Sequence, residues 1–196
     1  MMRRDLAFEA LAAERNAAIV VSTYSSAFEW QRIAPSALNM PATGAMGQGS
    51  SLALGLALGA PDTKVIVLDG DGSLLMNLGS LVTIAAVAPK NLVHFVCENG
   101  VYEANGSHPI PGRDTVDFSG LARAAGYPHT FTYSELATFT ADLPRIMQLD
   151  GPVFATLKLT SGETPLNLDY RWMHGPKTRA DFKAAISSLL PQKADS

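Results

Sequence analysis

Val65-Ile66-Val67-Leu68-Asp69-Gly70-Asp71-Gly72-Ser73 begins as an apolar run and stops at a carboxylate held between two glycines. A second run, Leu92-Val93-His94-Phe95-Val96-Cys97, leads into Glu98-Asn99-Gly100-Val101-Tyr102, where an asparagine precedes the glycine. Short apolar runs closed by turn residues read as strands buried on both faces. Asp71 and Asn99 then stand at two strand ends, 28 positions apart. That spacing leaves room for one helical crossover and returns the chain to a neighbouring parallel strand. Ligands of an open parallel sheet bind beyond the carboxyl ends of its strands. Two oxygen donors converging there suit a hard cation such as Mg2+, which takes carboxylate and carbonyl oxygens and keeps phosphate oxygens as further ligands. Gly72 and Ser73 are expected to open a helix, capped by Ser73, whose free amides and positive end favour a phosphate.

Outward from this stretch, strands and helices alternate. Residues 3–15 have the spacing of an amphipathic helix, 17–21 read as a buried strand, and 27–33 as a short helix. Between the last two lies Ser22-Thr23-Tyr24-Ser25-Ser26, a hydroxyl cluster that either caps the helix or receives an anion at its start. Thr43-Gly44-Ala45-Met46-Gly47-Gln48-Gly49 is a glycine-rich entry to a helix of small apolar residues ending at Ala60. Glycine there allows close backbone approach to a ligand. Its spacing is Gly-x-x-Gly-x-Gly and no strand is expected immediately before it, which argues against a dinucleotide fold, and no Gly-Lys-Ser/Thr exists to form a P-loop. Downstream come one or two helices to Val87, the strand 92–97, a long polar loop over 98–114, a helix over 117–125, a strand over 129–132, a helix over 134–147 and a strand over 153–159. A loop of that length is often functional. Residues 161–177, with Tyr170, Arg171, Trp172 and His174, have no clear period and are expected to be an extended arm that reaches a partner or packs back on the domain. A last helix is expected over 179–190. The whole reads as one domain, 1–196, of the α/β class: a doubly wound, mainly parallel sheet with helices on both faces.

Composition narrows the function. The 196 residues, 47% hydrophobic, can bury one sizeable core. A net charge of -3 without a basic stripe gives no sign of nucleic acid or an anionic membrane surface as partner, so any phosphate must be held by backbone amides or a metal. Cys97 is the single cysteine and reads as a small buried core residue. The longest apolar stretch, 51–60, is half of the ~20 residues a membrane span requires. The charged start, Met1-Met2-Arg3-Arg4-Asp5, lacks the apolar continuation of a secretory signal, so a cytoplasmic location is expected.

Gly70-Asp71-Gly72-Ser73 followed by Asn99-Gly100-Val101-Tyr102 resembles the signature of thiamine diphosphate enzymes, in their diphosphate-binding domain. The likeness extends from Met1 to about Leu159. It implies thiamine diphosphate and Mg2+ as cofactors, with Asp71 and Asn99 binding the metal by side chain and Val101 by its carbonyl. It further implies that Gly72, Ser73, Thr23 and Ser25 meet the diphosphate, with Gly44, Gly47, Gly70 and Tyr102 also binding the cofactor. In Gly44-Ala45-Met46-Gly47, Met46 matches the bulky residue beneath the thiazolium. The family also requires a glutamate that bonds the aminopyrimidine, carried by a separate pyrimidine-binding domain, and no such domain is found in this sequence. The chain therefore resembles the β chain of split enzymes such as sulfopyruvate decarboxylase, and the C-terminal part of phosphonopyruvate decarboxylase. The resemblance implies a lyase subunit, active with a separate α chain in a hetero-oligomer of at least two of each, that decarboxylates a small 2-oxo acid. A carboligase subunit and a non-catalytic cofactor-binding module are the alternatives. Where those relatives carry a hydroxyl pair after Tyr-Glu, this sequence reads Tyr102-Glu103-Ala104-Asn105-Gly106-Ser107-His108. His108 is a candidate to bind a substrate carboxylate or donate a proton, or is simply a solvated loop residue, and Glu103 is the second catalytic candidate.

Overall fold

The computed structural model of the chain describes residues 1–42, 44, 46–160 and 169–190. Its elements begin with β1 (Met2–Arg3), α1 (Arg4–Glu14), β2 (Ile19–Thr23), α2 (Tyr24–Ile33), β3 (Asn39–Ala42) and α3 (Gly49–Gly59). They continue with β4 (Val65–Gly70), α4 (Asp71–Leu75), α5 (Gly79–Val87), β5 (Leu92–Glu98), β6 (Val101–Tyr102), a 3-10 turn (Glu103–Asn105) and β7 (His108–Pro109). The chain then forms α6 (Phe118–Ala125), β8 (His129–Tyr133), α7 (Leu136–Gln148), β9 (Val153–Thr160), α8 (Tyr170–His174) and α9 (Pro176–Ile186).

The main sheet runs β1-β9-β5-β4-β2-β3, with β8 also beside β9, and every pair in it is parallel. The apolar strands divide their side chains between two cores. Val20, Ile66, Leu68, Val93 and Phe95 pack with Phe8, Trp30, Phe139 and Leu143 of α1, α2 and α7. Ile19, Val21, Val65, Val67 and Val96 pack on the other face with residues of α3, α5, α6 and α9. Burial on both faces is why these strands read as continuous apolar runs and not as an alternation. From β2 the chain crosses to β3 on one side, then returns to β4 on the other. The carboxyl ends of β2 and β4 thus flank the point where strand order reverses, the place at which such sheets take ligands. Met2 and Arg3 pair with Leu159 and Thr160 at the carboxyl end of β9, so α1 starts on the same side of the sheet.

Several local expectations change. A strand, β3, does precede the glycine-rich segment; Pro41 disguised it, and it is tolerated because β3 is an edge strand pairing only with β2. The spacing of Gly44, Gly47 and Gly49 alone then argues against the dinucleotide pattern. The hydroxyl cluster does not cap α2: Thr23 occupies the N-cap position without a side-chain capping bond, and its Oγ1 instead donates to the Leu68 carbonyl at 3.4 Å. Ser73 caps nothing either, because α4 begins two residues earlier, at Asp71. The loop after β5 is partly ordered by the antiparallel pair β6 and β7. In the expected arm, residues 161–168 lie outside the described residues. Tyr170–His174 is helical, opened by Asp169, whose carboxylate accepts from the amides of Arg171 and Trp172. Phe28 meets the rings of Tyr170 and Trp172, so this part of the arm packs back on α2. The last helix starts at Pro176, a favoured first-turn residue that the period alone did not mark. Among the described residues, no helix is long and apolar enough to cross a membrane.

Candidate functional site

Beyond the ends of β2, β4 and β5 lies a cleft lined by Thr23, Ser25, Met46, Asp71, Ser73 and Asn99, among others. Asp71 is 2% exposed. Its Oδ1 accepts from the Gly72 amide at 2.7 Å, and its Oδ2 from the amides of Asn99 at 2.9 Å and Gly100 at 2.7 Å. These bonds tie the end of β4 to the end of β5. Burial pushes the Asp71 carboxyl above the usual carboxylate range; the amides of Gly100, Gly72 and Asn99 pull it down, the nearby Glu98 charge opposes them, and the net shift is upward. A carboxylate whose charge is penalised by burial gains most from a cation at close range.

Asn99 can offer its amide oxygen. Its Oδ1 accepts from the Val101 amide at 3.0 Å and, as a carbonyl, keeps a second lone pair. Val101 faces Pro109 in a non-hydrogen-bonded pair, the flanking Gly100 carbonyl accepting from the Ile110 amide at 3.1 Å, so the Val101 carbonyl points away from β7. Asp71, Asn99 and Val101 all line the cleft. An all-oxygen donor set with a single carboxylate fits a hard cation that retains ligands from elsewhere. Among the described residues no cluster of three or more His, Cys, Asp or Glu side chains is placed to hold a metal.

The glycines beside Asp71 serve different purposes. A Cβ on Gly72 would sit 2.4 Å from Cε1 and 2.6 Å from Cδ1 of Tyr102, whose ring lies across it. A Cβ on Gly70 would meet nothing nearer than 3.7 Å within the chain, with Thr23 Oγ1 at 3.8 Å and the Ser73 amide at 4.0 Å. The bare backbone at Gly70 therefore leaves room among polar groups that a phosphate can enter. The Gly72 amide is already committed to Asp71 and α4 is only five residues long, so the anticipated helix-end contribution is smaller than the sequence implied. Met46 is half-buried at the cleft wall, and its loop is strapped to α4 and the turn after it: the Gly47 amide donates to Ser73 Oγ at 3.0 Å and Asn77 Nδ2 to the Gly47 carbonyl at 2.9 Å.

Residues 21–156 match the family described as thiamine pyrophosphate enzyme, C-terminal TPP binding domain. The chain belongs to the thiamine pyrophosphate enzymes. It is 38% identical over 161 residues to phosphonopyruvate decarboxylase of Streptomyces viridochromogenes, covering 81% of this chain and 40% of that protein. It is 40% identical over 121 residues to sulfopyruvate decarboxylase subunit beta of Methanothermobacter thermautotrophicus, covering 61% of this chain and 60% of that one. The chain thus spans less than two thirds of either relative's length. Its fold is shared with 2-oxoglutarate:ferredoxin oxidoreductase from Magnetococcus marinus, at a TM-score of 0.63 and 15% identity over 79% of this chain and 60% of that chain.

Most residues singled out from the sequence of this thiamine pyrophosphate enzyme meet in the cleft: Thr23, Ser25, Met46, Gly70, Asp71, Gly72, Ser73, Asn99, Val101, Tyr102 and Glu103. Gly44 and Gly47 do not line it; Gly44 is exposed with φ +106°, and Gly47 works through Ser73. His108 is exposed in β7 and lies outside the cleft. Glu103 is in the cleft but is committed to Arg4, whose Nη1 reaches its Oε2 at 2.5 Å and Nη2 its Oε1 at 3.3 Å. Arg4 is 3% exposed and also bonds Glu29 on α2. Burial works to lower the Arg4 pKa, but Glu103 and Glu29 more than offset it and fix the positive charge. Reading motifs missed Arg4 and Glu29. No local signal marks them, because only the pairing of β1 with β9 brings the chain start to this end of the sheet. Asp69, two residues before Asp71, does not line the cleft. Its Oδ2 lies 3.7 Å from His94 Nε2, and His94 Nδ1 lies 3.3 Å from Tyr127 Oη, in a buried cluster that accounts for His94 as structural.

Proposed function

We propose that the chain is the β subunit of a two-chain thiamine diphosphate-dependent decarboxylase of a small 2-oxo acid, resembling sulfopyruvate or phosphonopyruvate. The observation that carries this reading is the convergence of Asp71, Asn99 and Val101 with Thr23, Ser25, Met46 and Ser73 in one cleft at the switch point of the sheet. In it, Asp71, Asn99 and the Val101 carbonyl hold Mg2+; Thr23, Ser25, Gly70 and Ser73 receive the diphosphate; Met46 and Tyr102 flank the rest of the cofactor. The cofactor, when bound, supplies the electron sink that accepts the electrons released with CO2. This chain anchors and orients the anionic end, and the glutamate that activates the cofactor comes from a separate α chain.

Two observations support a separate chain. A relative of comparable length is called a subunit beta, and the outer faces of α3 and α5 carry no charged residue while exposing Leu58, Val82 and Val87. Exposed apolar side chains on two helices that touch and carry no charge suit an interaction with another chain. Asp71→Ala is expected to abolish Mg2+-dependent thiamine diphosphate binding, measured by calorimetry on the chain with its partner; unchanged affinity refutes the metal assignment. The isolated chain is expected to turn over 2-oxo acids negligibly and to gain activity when the α chain is added, whereas full activity alone refutes the two-chain reading. Product analysis separates the aldehyde of a decarboxylase from the 2-hydroxy ketone a carboligase would make, CO2 being released in both cases.

A further inference from the structure

An asparagine that ligates a cation has a problem a carboxylate lacks: its two ends differ. In the cleft the Asn99 amide is held between two unlike neighbours. Oδ1 accepts from the Val101 amide at 3.0 Å, and Nδ2 faces Glu103 Oε2 at 3.5 Å. Turning the amide over would set an oxygen against the Glu103 carboxylate and an NH2 group against the Val101 N–H. Both neighbours therefore select the same orientation, and Glu103 enforces it by repulsion of the wrong end as well as attraction of the right one. Glu103 is in turn gripped through both oxygens by Arg4, a planar donor suited to fixing a carboxylate's direction. Arg4 is anchored at its Nε by the fully buried Glu29. A chain of contacts thus runs from α2, through the first residue of α1, to the residue at the end of β5.

We propose that Glu103, oriented by Arg4, is a positioning residue that keeps the Asn99 amide oxygen turned to the cation, and that it acts through Asn99 without touching the substrate. This rests on the reading of Asn99 as a metal ligand. It replaces the catalytic part that sequence reasoning gave Glu103, whose carboxylate is engaged by Arg4 on one side and Asn99 on the other.

The test uses the full chain as it purifies, with any subunit that accompanies it, and follows Mn2+ binding by electron paramagnetic resonance with saturating thiamine diphosphate. Glu103→Ala is expected to raise the half-saturating Mn2+ concentration about 10–100-fold, the usual effect of removing a group that orients a metal ligand. The distinguishing arm is Asn99→Asp, which supplies two equivalent oxygens that need no orienting. In that background, removal of Glu103 is expected to leave the Mn2+ requirement unchanged or lower it, because the carboxylate introduced at position 99 would otherwise face a like charge. An equal loss in both backgrounds shows that Glu103 only props the loop and overturns the proposal, as does no loss in the single variant. Loss of binding by Asn99→Asp that removal of Glu103 does not restore also overturns it, because two equivalent oxygens at position 99 should serve the cation once the like charge is gone. Failure of the unaltered chain to bind Mn2+ with thiamine diphosphate refutes the metal site itself, and is thereby distinguished from failure of the positioning role.

Discussion

Asp71 and Glu103 face one cleft, and they are held by opposite means. Asp71 is fixed by three backbone amides, all from residues of its own turn or of the turn after the adjacent strand. Glu103 is fixed by a guanidinium from the first helix, which leans on a second carboxylate in α2. Amides held by the sheet cannot be repositioned without unpicking β4 and β5, so Asp71 keeps its place whatever the surrounding side chains do. The Glu103 arrangement depends on three side chains from separate elements, one of which, Glu29, has a carboxylate oxygen without a hydrogen bond. Rigid geometry for a ligand comes from the first kind of holding; adjustable orientation of a neighbour comes from the second.

The contrast breaks most readily at Arg4. Arg4→Met leaves Glu29 buried with Arg32, 3.6 Å away, as its remaining charged partner among the described residues. Removing one partner of a buried ion pair costs about 3–5 kcal/mol. Urea unfolding of the variant is expected to show a loss of that size, while Asp71 keeps its amide contacts. A loss under about 1 kcal/mol, the range of solvent-exposed pairs, shows that the triad is not effectively buried. On the backbone-held side, Gly72→Ala tests whether Tyr102 and the Asp71 turn are packed as one unit. The added methyl meets the Tyr102 ring and, at 3.1 Å, Ile110 Cγ2. Overpacking of this sort costs about 1–3 kcal/mol. It is expected to displace Tyr102 and weaken thiamine diphosphate binding by calorimetry about tenfold or more, a factor of ten being ~1.4 kcal/mol. Binding equal to that of the unaltered chain means that the ring moves aside freely.

The same contrast explains what the sequence makes legible. Asp71 and Asn99 were readable because everything that positions them is local: an apolar run, a glycine on each side, and one crossover of spacing. The parallel sheet covered on both faces followed from the same runs, since such burial leaves no polar alternation in the strands. Arg4 and Glu29 were opaque, being two charged residues 25 positions apart in stretches whose periodicity places them only on helices. Their convergence follows from β1 pairing with β9, a contact spanning nearly the whole chain and made by two residues. β3 was hidden by Pro41, and the hydroxyls of residues 22–26 suggested caps where tertiary contacts claim Thr23 instead.

The smallest effect separates the two carboxylates by pH. Asp71 has its pKa raised in the fold by burial, against the pull of its amides. For a group shifted upward, the favourable contribution is complete below the unfolded value and is lost as pH rises through the folded one. The metal-free chain at neutral pH therefore carries Asp71 at a cost. A bound cation reverses the preference, because it requires the ionised carboxylate and so competes with the proton. The rise in melting temperature produced by Mn2+ and thiamine diphosphate is then expected to shrink as pH falls toward the acid range, starting at a higher pH than for an unburied aspartate. In Glu103→Ala the gain should be smaller throughout yet fall over the same pH interval, since the proton that competes belongs to Asp71. A shifted interval in that variant would mean that Glu103, and not Asp71, carries the competing proton, and would move the cation toward the side-chain-held side of the cleft.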